Sequence, residues 1–299
     1  MPTWNEVLTN IHNQPNAFDS VRRDYLRQLE SKTNRNIIVY YSGWLQKGNL
    51  IQRGIRFDIS DSDKMGFMST IKGLKKEKGL DLILHTPGGS IGAAQSIVHY
   101  LKSMFNNNIR AIVPQIAMSA GTMIACACKE IIMGKHSNLG PIDPQINGIP
   151  THGIIEEFNT AKKQIIEDPT QIPLWQSILS QYSPTLIGEC EKAIRWSEEM
   201  VRDWLKTNMF EGDPEQENKI NDIIQELGNH AYTLSHDRHL HIDELKSKTK
   251  LNLICLEDDD ELQDAVLSVH HACIITLTQT PAYKIIENQF GKAFIQLVG

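Results

Sequence analysis

No Cys-x-x-Cys pair occurs among the 299 residues, and the five cysteines are odd in number. Both facts argue against a disulfide framework, and Cys126 and Cys128, set in an apolar stretch, read as small buried thiols. An excess of positive charge is lacking too. Thirty Lys and Arg stand against 36 Asp and Glu, for a net charge of −6, and no segment concentrates enough cations to track a phosphate backbone. This argues against nucleic acid as a partner. The densest basic cluster, Lys72, Lys75, Lys76 and Lys78, reads as a solvated helix end. The first residues, Met1 to Glu6, have no basic and apolar leader pattern, so no secretory signal is expected. Ala111 to Cys128 is largely apolar, but Pro114, Gln115, Ser119 and Gly121 interrupt it. A buried strand running into a buried helix is expected there rather than a membrane span, and the chain is placed in the cytoplasm. Internal repeats and low-complexity segments are missing as well.

What is present is the composition of a globular chain, 40 % hydrophobic and 22 % charged. Residues 1–35 read as a helical N-terminal arm, with an amphipathic stretch from Ala17 to Leu29, and residues 36–299 as the main domain. Ile37 to Tyr41 reads as a buried strand. Asp61 or Ser62 can cap a helix whose Met65, Met68, Ile71 and Leu74 recur at helical spacing and read as core. From Leu80 to Gly134 the order is strand, glycine turn, helix, strand, glycine turn, helix, strand, which predicts parallel crossovers and an α/β fold. A helical segment follows from about 151 to 229. Leu251 to Leu256 reads as a last strand, and the acidic run Glu257 to Glu261 as the N-terminus of a long helix. That run lacks EF-hand spacing, so no metal is expected, and no cofactor either.

Two turns carry the chemistry. Thr86-Pro87-Gly88-Gly89-Ser90 does not satisfy G-x-G-x-x-G and has no Gly-Lys-Ser/Thr after it, so neither dinucleotide nor P-loop chemistry fits. Glycines at the end of a strand let backbone N–H groups approach a substrate carbonyl. Met118-Ser119-Ala120-Gly121-Thr122 lies about 30 residues on and falls short of G-x-S-x-G, but its strand-turn-helix setting is that of a nucleophile elbow. A helix-capping serine and a plain structural turn remain the bland alternatives.

These two turns, together with Leu139-Gly140-Pro141-Ile142-Asp143-Pro144-Gln145 and Ser235-His236-Asp237, resemble the serine dehydrogenase proteinase family. That family has the Clp protease/crotonase fold and is related to signal peptide peptidase A. The resemblance runs roughly from Ile37 to Ile295. It implies a spiral of ββα units with additional helices, peptide or protein substrates, and a homo-oligomer. It makes Ser119 the nucleophile and the N–H groups of Gly88 or Gly89 and of Ala120 the oxyanion donors.

The base is open. At the position of the Clp histidine the chain has Pro141, and His136 reads as a turn residue. A Ser–Lys pair is one choice: Lys162 falls on the face of Ile155, Phe158, Ile165 and Ile166, whereas Lys163 falls on the wetter one. A lysine base must be held neutral by a desolvated site. His236 is the other choice, or Asp237 could orient a base, since imidazole works near neutral pH without a large shift. His270 and His271 read as packing or surface residues. Rival readings are an α/β-hydrolase esterase using Asp237 with His270, an acyl-CoA-handling crotonase, and a scaffold that keeps the fold without a working base.

Overall fold

The computed structural model describes residues 4–12, 17–228 and 235–299. Parts of the expected N-terminal arm (1–3, 13–16) and the end of the expected helical segment (229) lie outside them. Helices α1 (Trp4–His12) and α2 (Ala17–Thr33) precede strand β1 (Asn36–Ser42), then α3 (Trp44–Lys47) and α4 (Asp63–Ile71). The alternating region gives β2 (Leu80–His85), α5 (Ile91–Phe105), β3 (Ile109–Val113), β4 (Ile116–Ala117), α6 (Ala120–Cys126), β5 (Glu130–Met133) and β6 (Asn138–Leu139). A small hairpin, β7 (Gln145–Ile146) and β8 (Ile149–Pro150), leads into α7 (Thr151–Glu167), α8 (Ile172–Leu179), α9 (Leu186–Trp204) and α10 (Gln216–Gly228). The chain closes with β9 (Leu240–His241), α11 (Ile242–Lys248), β10 (Leu253–Cys255), α12 (Asp260–Gln279), β11 (Ala282–Asn288) and β12 (Ala293–Leu297).

The large sheet has the order β10-β5-β3-β2-β1-β11-β12, and β4-β6-β9 form a smaller one. Strands β3 and β5 each run on into a short strand of the smaller sheet, and α6 follows β4, the ββα arrangement expected of a Clp/crotonase-like α/β fold. Strands β1 and β2 are buried along their whole length because both faces are covered. Alternation then splits β1 between two cores: Ile38 and Tyr40 face one with Phe67 and Leu101, while Ile37, Val39 and Tyr41 face the other with Leu26 and Val269. The first two helices pack on α12, through Val7, Val21, Ala272 and Ile275. The acidic run does open α12, where the Asp259 carboxylate accepts the Leu262 N–H at 2.9 Å. All five cysteines are buried and unpaired.

Three expectations need correction. Met65 and Met68 are exposed, because α4 turns Gly66, Phe67, Thr70 and Ile71 inward; Gly66 lets Ile286 approach where a Cβ would not fit. The Ser62 side chain makes no capping bond to that helix. Leu251 to Leu256 does not hold the last strand: β11 and β12 follow α12, and β11 inserts antiparallel beside β1. Its polar residues hid it, yet each has a distant partner. Lys284 pairs with Asp63, Glu287 with Arg22 and Arg23, and Asn288 donates to the Thr70 carbonyl.

Candidate active site

The two glycine turns lie side by side. Thr86 and Ala117 form a bridge in which Thr86 N–H donates to the Ile116 carbonyl at 3.2 Å and Met118 N–H to the Thr86 carbonyl at 3.0 Å. Gly121 makes the approach possible, since a Cβ there would lie 2.5 Å from Thr86 Cγ2. Behind the second turn the Thr122 hydroxyl donates to the Ala117 carbonyl at 2.9 Å and accepts from Gly140 N–H at 3.0 Å.

Ser119 sits between β4 and α6 with φ 49° and ψ −117°. A positive φ is uncommon for a residue with a Cβ and costs of order 1 kcal/mol or more, so the surrounding bonds must hold it. Gly121 N–H to the Met118 carbonyl at 2.7 Å and Met123 N–H to the Ser119 carbonyl at 3.0 Å do so. Ser119 is partly exposed, while the rest of the stretch from Ile116 to Cys128 is buried. Its side chain makes no helix-capping bond.

Gly88 has φ 94°, and a Cβ on it would come within 2.7 Å of both the Met118 carbonyl oxygen and Ser119 Cβ. Its N–H donates to Thr86 Oγ1 at 3.1 Å, and its carbonyl accepts from Ile59 N–H at 2.7 Å. These bonds do not engage the Gly89 N–H. Ala120 is the first residue of α6, so its N–H has no partner within the helix. Gly88, Gly89 and Ser119 line one cleft of about 820 Å³, together with Trp196, His236 and Asp237.

His236 thus shares the cleft of Ser119, and its Nδ1 lies 2.9 Å from Asp143 Oδ1. Asp143 is fully buried and His236 partly so. The contact engages Nδ1 of the ring and leaves Nε2 as the nitrogen that it does not use. Sequence reasoning assigned Asp143 no role. The signal available was an acid between two prolines, Pro141-Ile142-Asp143-Pro144, in a segment without other charge. That segment is fixed by Ile142 N–H to the Leu227 carbonyl, by Ser197 Oγ to the Ile142 carbonyl, and by two bonds from Thr151 to the Pro144 carbonyl. Asp237 is exposed at the rim of the cleft.

Lys162 and Lys163 are both exposed and line a shallow groove with Asn159, Ile166 and Glu167, which shares no residue with the Ser119 cleft. The helical phase differs from the expected one: α7 buries Thr151, Ile154 and Ala161, and Ile166 faces solvent. His136 stands in a turn 3.7 Å from Glu257. His270 is buried against Tyr41, whose hydroxyl lies 3.0 Å from its Nδ1, and is absent from the cleft lining; burial holds its pKa well below the usual imidazole range. Immediately before the first turn, His85 is buried between Tyr41, Trp44 and His270, neither ring nitrogen has a hydrogen-bond partner among the described residues, and burial pushes its pKa down to about 3.

Among the described residues no group of three or more His, Cys, Asp or Glu could hold a metal, and no helix is long and apolar enough to cross a membrane. A family model described as ClpP-like SDH-type serine proteinase matches residues 7–255. The uncharacterized protein MJ0137 of Methanocaldococcus jannaschii is 36 % identical over 152 residues, 50 % of this chain and 52 % of its own length. The uncharacterized protein MJ1495 of the same organism is 33 % identical over 188 residues, 63 % of this chain and 56 % of its own length. The chain thus spans little more than half the length of the curated relatives it matches.

Proposed function

This chain belongs to the ClpP-like SDH-type serine proteinases, and from that premise we propose that it hydrolyses peptide bonds with Ser119 as nucleophile, His236 as base and Asp143 as the carboxylate that orients the base. The observation that carries this reading is the cleft lined both by a positive-φ serine at a strand-helix turn and by a histidine in contact with a buried carboxylate.

In the reaction, Ser119 Oγ attacks the carbonyl carbon and gives its proton to His236 Nε2. The developing oxyanion accepts hydrogen bonds from the N–H groups of Gly89 and Ala120. Of the two candidate glycines Gly89 is favoured, because the Gly88 N–H is already committed to Thr86. His236 then protonates the leaving amine, and water, deprotonated by the same imidazole, releases the acyl group and regenerates Ser119. A positioned base is worth roughly 10²- to 10⁴-fold, and one oxyanion donor about 3 kcal/mol. A lysine base at 162 has little support, since an exposed ammonium has no desolvated site to hold it neutral.

The substrate class is peptide or protein, and the chain acts as a homo-oligomer. Support for assembly comes from the fold and from apolar side chains left open on α7 and α8, Ile166, Ile172 and Leu174. Five unpaired thiols suit a reducing compartment, in keeping with the cytoplasm.

A fluorophosphonate probe tests the chemistry. The parent is expected to be labelled at Ser119, with labelling lost in Ser119→Ala and reduced at least 100-fold in His236→Ala. Absence of serine-dependent labelling across a broad pH range rejects the reading.

A further inference from the structure

Lys284 and Asp63 form a buried ion pair at 2.9 Å between residues 221 apart in the chain. Such pairs are weak evidence of stability, because desolvation offsets the attraction, and the other bonds of this one are the informative part. The Lys284 ammonium also donates to the Asp58 carbonyl at 2.9 Å, and the Asp63 carboxylate accepts the Ser60 N–H at 2.9 Å. The pair therefore grips the segment Asp58-Ile59-Ser60 at both ends.

Between those grips Ile59 holds the first glycine turn. Its N–H donates to the Gly88 carbonyl at 2.7 Å, and its carbonyl accepts the Ser90 N–H at 2.9 Å. Gly89 lies between the two bonds, so close that a Cβ would collide with the Ile59 backbone. A second arm reaches the same turn from the same carboxylate. The Tyr40 hydroxyl donates to Asp63 Oδ2 at 2.8 Å, Tyr40 pairs with Leu84 in β2, and two residues further on Thr86 Oγ1 accepts the Gly88 N–H at 3.1 Å. One buried charge pair thus backs the turn from two sides.

We infer that Lys284 and Asp63 are positioning residues for the Gly88-Gly89 turn, fixing through Asp58-Ile59-Ser60 the peptide plane that presents the Gly89 N–H to the Ser119 cleft. The inference rests on the oxyanion role proposed above for Gly89. Neither side chain is among the residues that line the Ser119 cleft.

The test uses the full chain carrying Asp63→Asn together with Lys284→Met. The new amide keeps an acceptor for Ser60 and Tyr40, the thioether fills the space of the lysine, and no unpaired charge stays buried. The expected result is amide exchange at Ile59 and Ser90, followed by NMR, that is faster by roughly tenfold or more. With it, kcat for a peptide falls by roughly tenfold or more while KM stays within about twofold of the parent's. Exchange within about twofold of the parent's overturns the inference, as does faster exchange with an unchanged kcat. If the parent is neither labelled by a fluorophosphonate nor active on peptides, the hydrolase reading fails instead, and exchange at Ile59 and Ser90 alone decides this inference. Should the double variant not fold, Tyr40→Phe, which removes only the hydroxyl, is read the same way at the Gly88 amide.

Discussion

His236 Nδ1 and Asp143 Oδ1 lie 2.9 Å apart, 93 residues distant in the chain, with the carboxylate wholly shielded from solvent. The contact takes up Nδ1 and leaves Nε2 for the role proposed above. Asp143→Asn replaces an acceptor with a group that can donate, which favours the tautomer with its proton on Nε2. The expected outcome is a native circular dichroism spectrum with kcat reduced roughly 10³- to 10⁴-fold. Steady-state kinetics on a peptide checks it, and a loss below tenfold removes Asp143 from the machinery.

Lys162→Met and Lys163→Met are expected to leave kcat/KM within about twofold of the parent's, since both side chains stand in solvent outside the cleft. A loss of 100-fold or more at position 162 would restore the Ser–Lys alternative.

Gly88→Ala places a methyl group 2.7 Å from the Met118 carbonyl oxygen and from Ser119 Cβ, at a φ of 94° that L-residues rarely adopt. A destabilisation of roughly 2–4 kcal/mol is expected, with fluorophosphonate labelling slowed far more than the fall in Tm alone explains. Calorimetry and labelling rates on the same sample separate the two effects.

Acid should weaken the protein through His85. Its pKa is about 3 in the folded chain against an ordinary 6.5, so the unfolded chain takes up the proton first. The stability present above about pH 6.5 is lost as the pH falls toward 3, reaching about 2 kcal/mol near pH 5 from this group alone. His270 is depressed in the same direction and adds to the effect. Denaturant titrations between pH 7 and pH 4 should show a shallower dependence for His85→Leu than for the parent, and an identical slope would remove His85 as a cause.

Burial pushes the thiols of Cys126, Cys128 and Cys273 up to about 12. They are expected to resist alkylation by iodoacetamide at pH 8 in the native state and to react once the protein is denatured. Mass spectrometry of the modified peptides reads this out directly.

The sequence made the strand-turn-helix units around Gly88 and Ser119 legible because apolar runs, glycines and helical periodicity coincide there. Ser119, Gly88 and Gly89 could be named for the same reason, with the family resemblance adding weight, whereas His236 rests on the resemblance of Ser235-His236-Asp237 and on the chemistry of imidazole. Asp143 could not, because an acid between prolines looks like a loop residue until its burial is known. Strand β11 was hidden by Lys284, Glu287 and Asn288, since a pattern rule treats a buried charge as an exposed one, and only the tertiary fold supplies Asp63, Arg22 and Thr70 as partners. Helical phase misplaced Lys162 because α7 buries a narrow stripe and leaves Ile166 in water, which an amphipathic count reads as core.

Insertion of β11 beside β1 also sets an order of events. Ile38 faces Asn288, and Asp63 must wait for Lys284 across 221 residues of chain. Closing a loop of that size costs on the order of 5 kcal/mol of chain entropy before any contact repays it. A chain still on the ribosome therefore carries its serine and its glycines without the support that shapes them. The shape of the glycine turn is thus a property of the finished fold rather than of the segment that carries it.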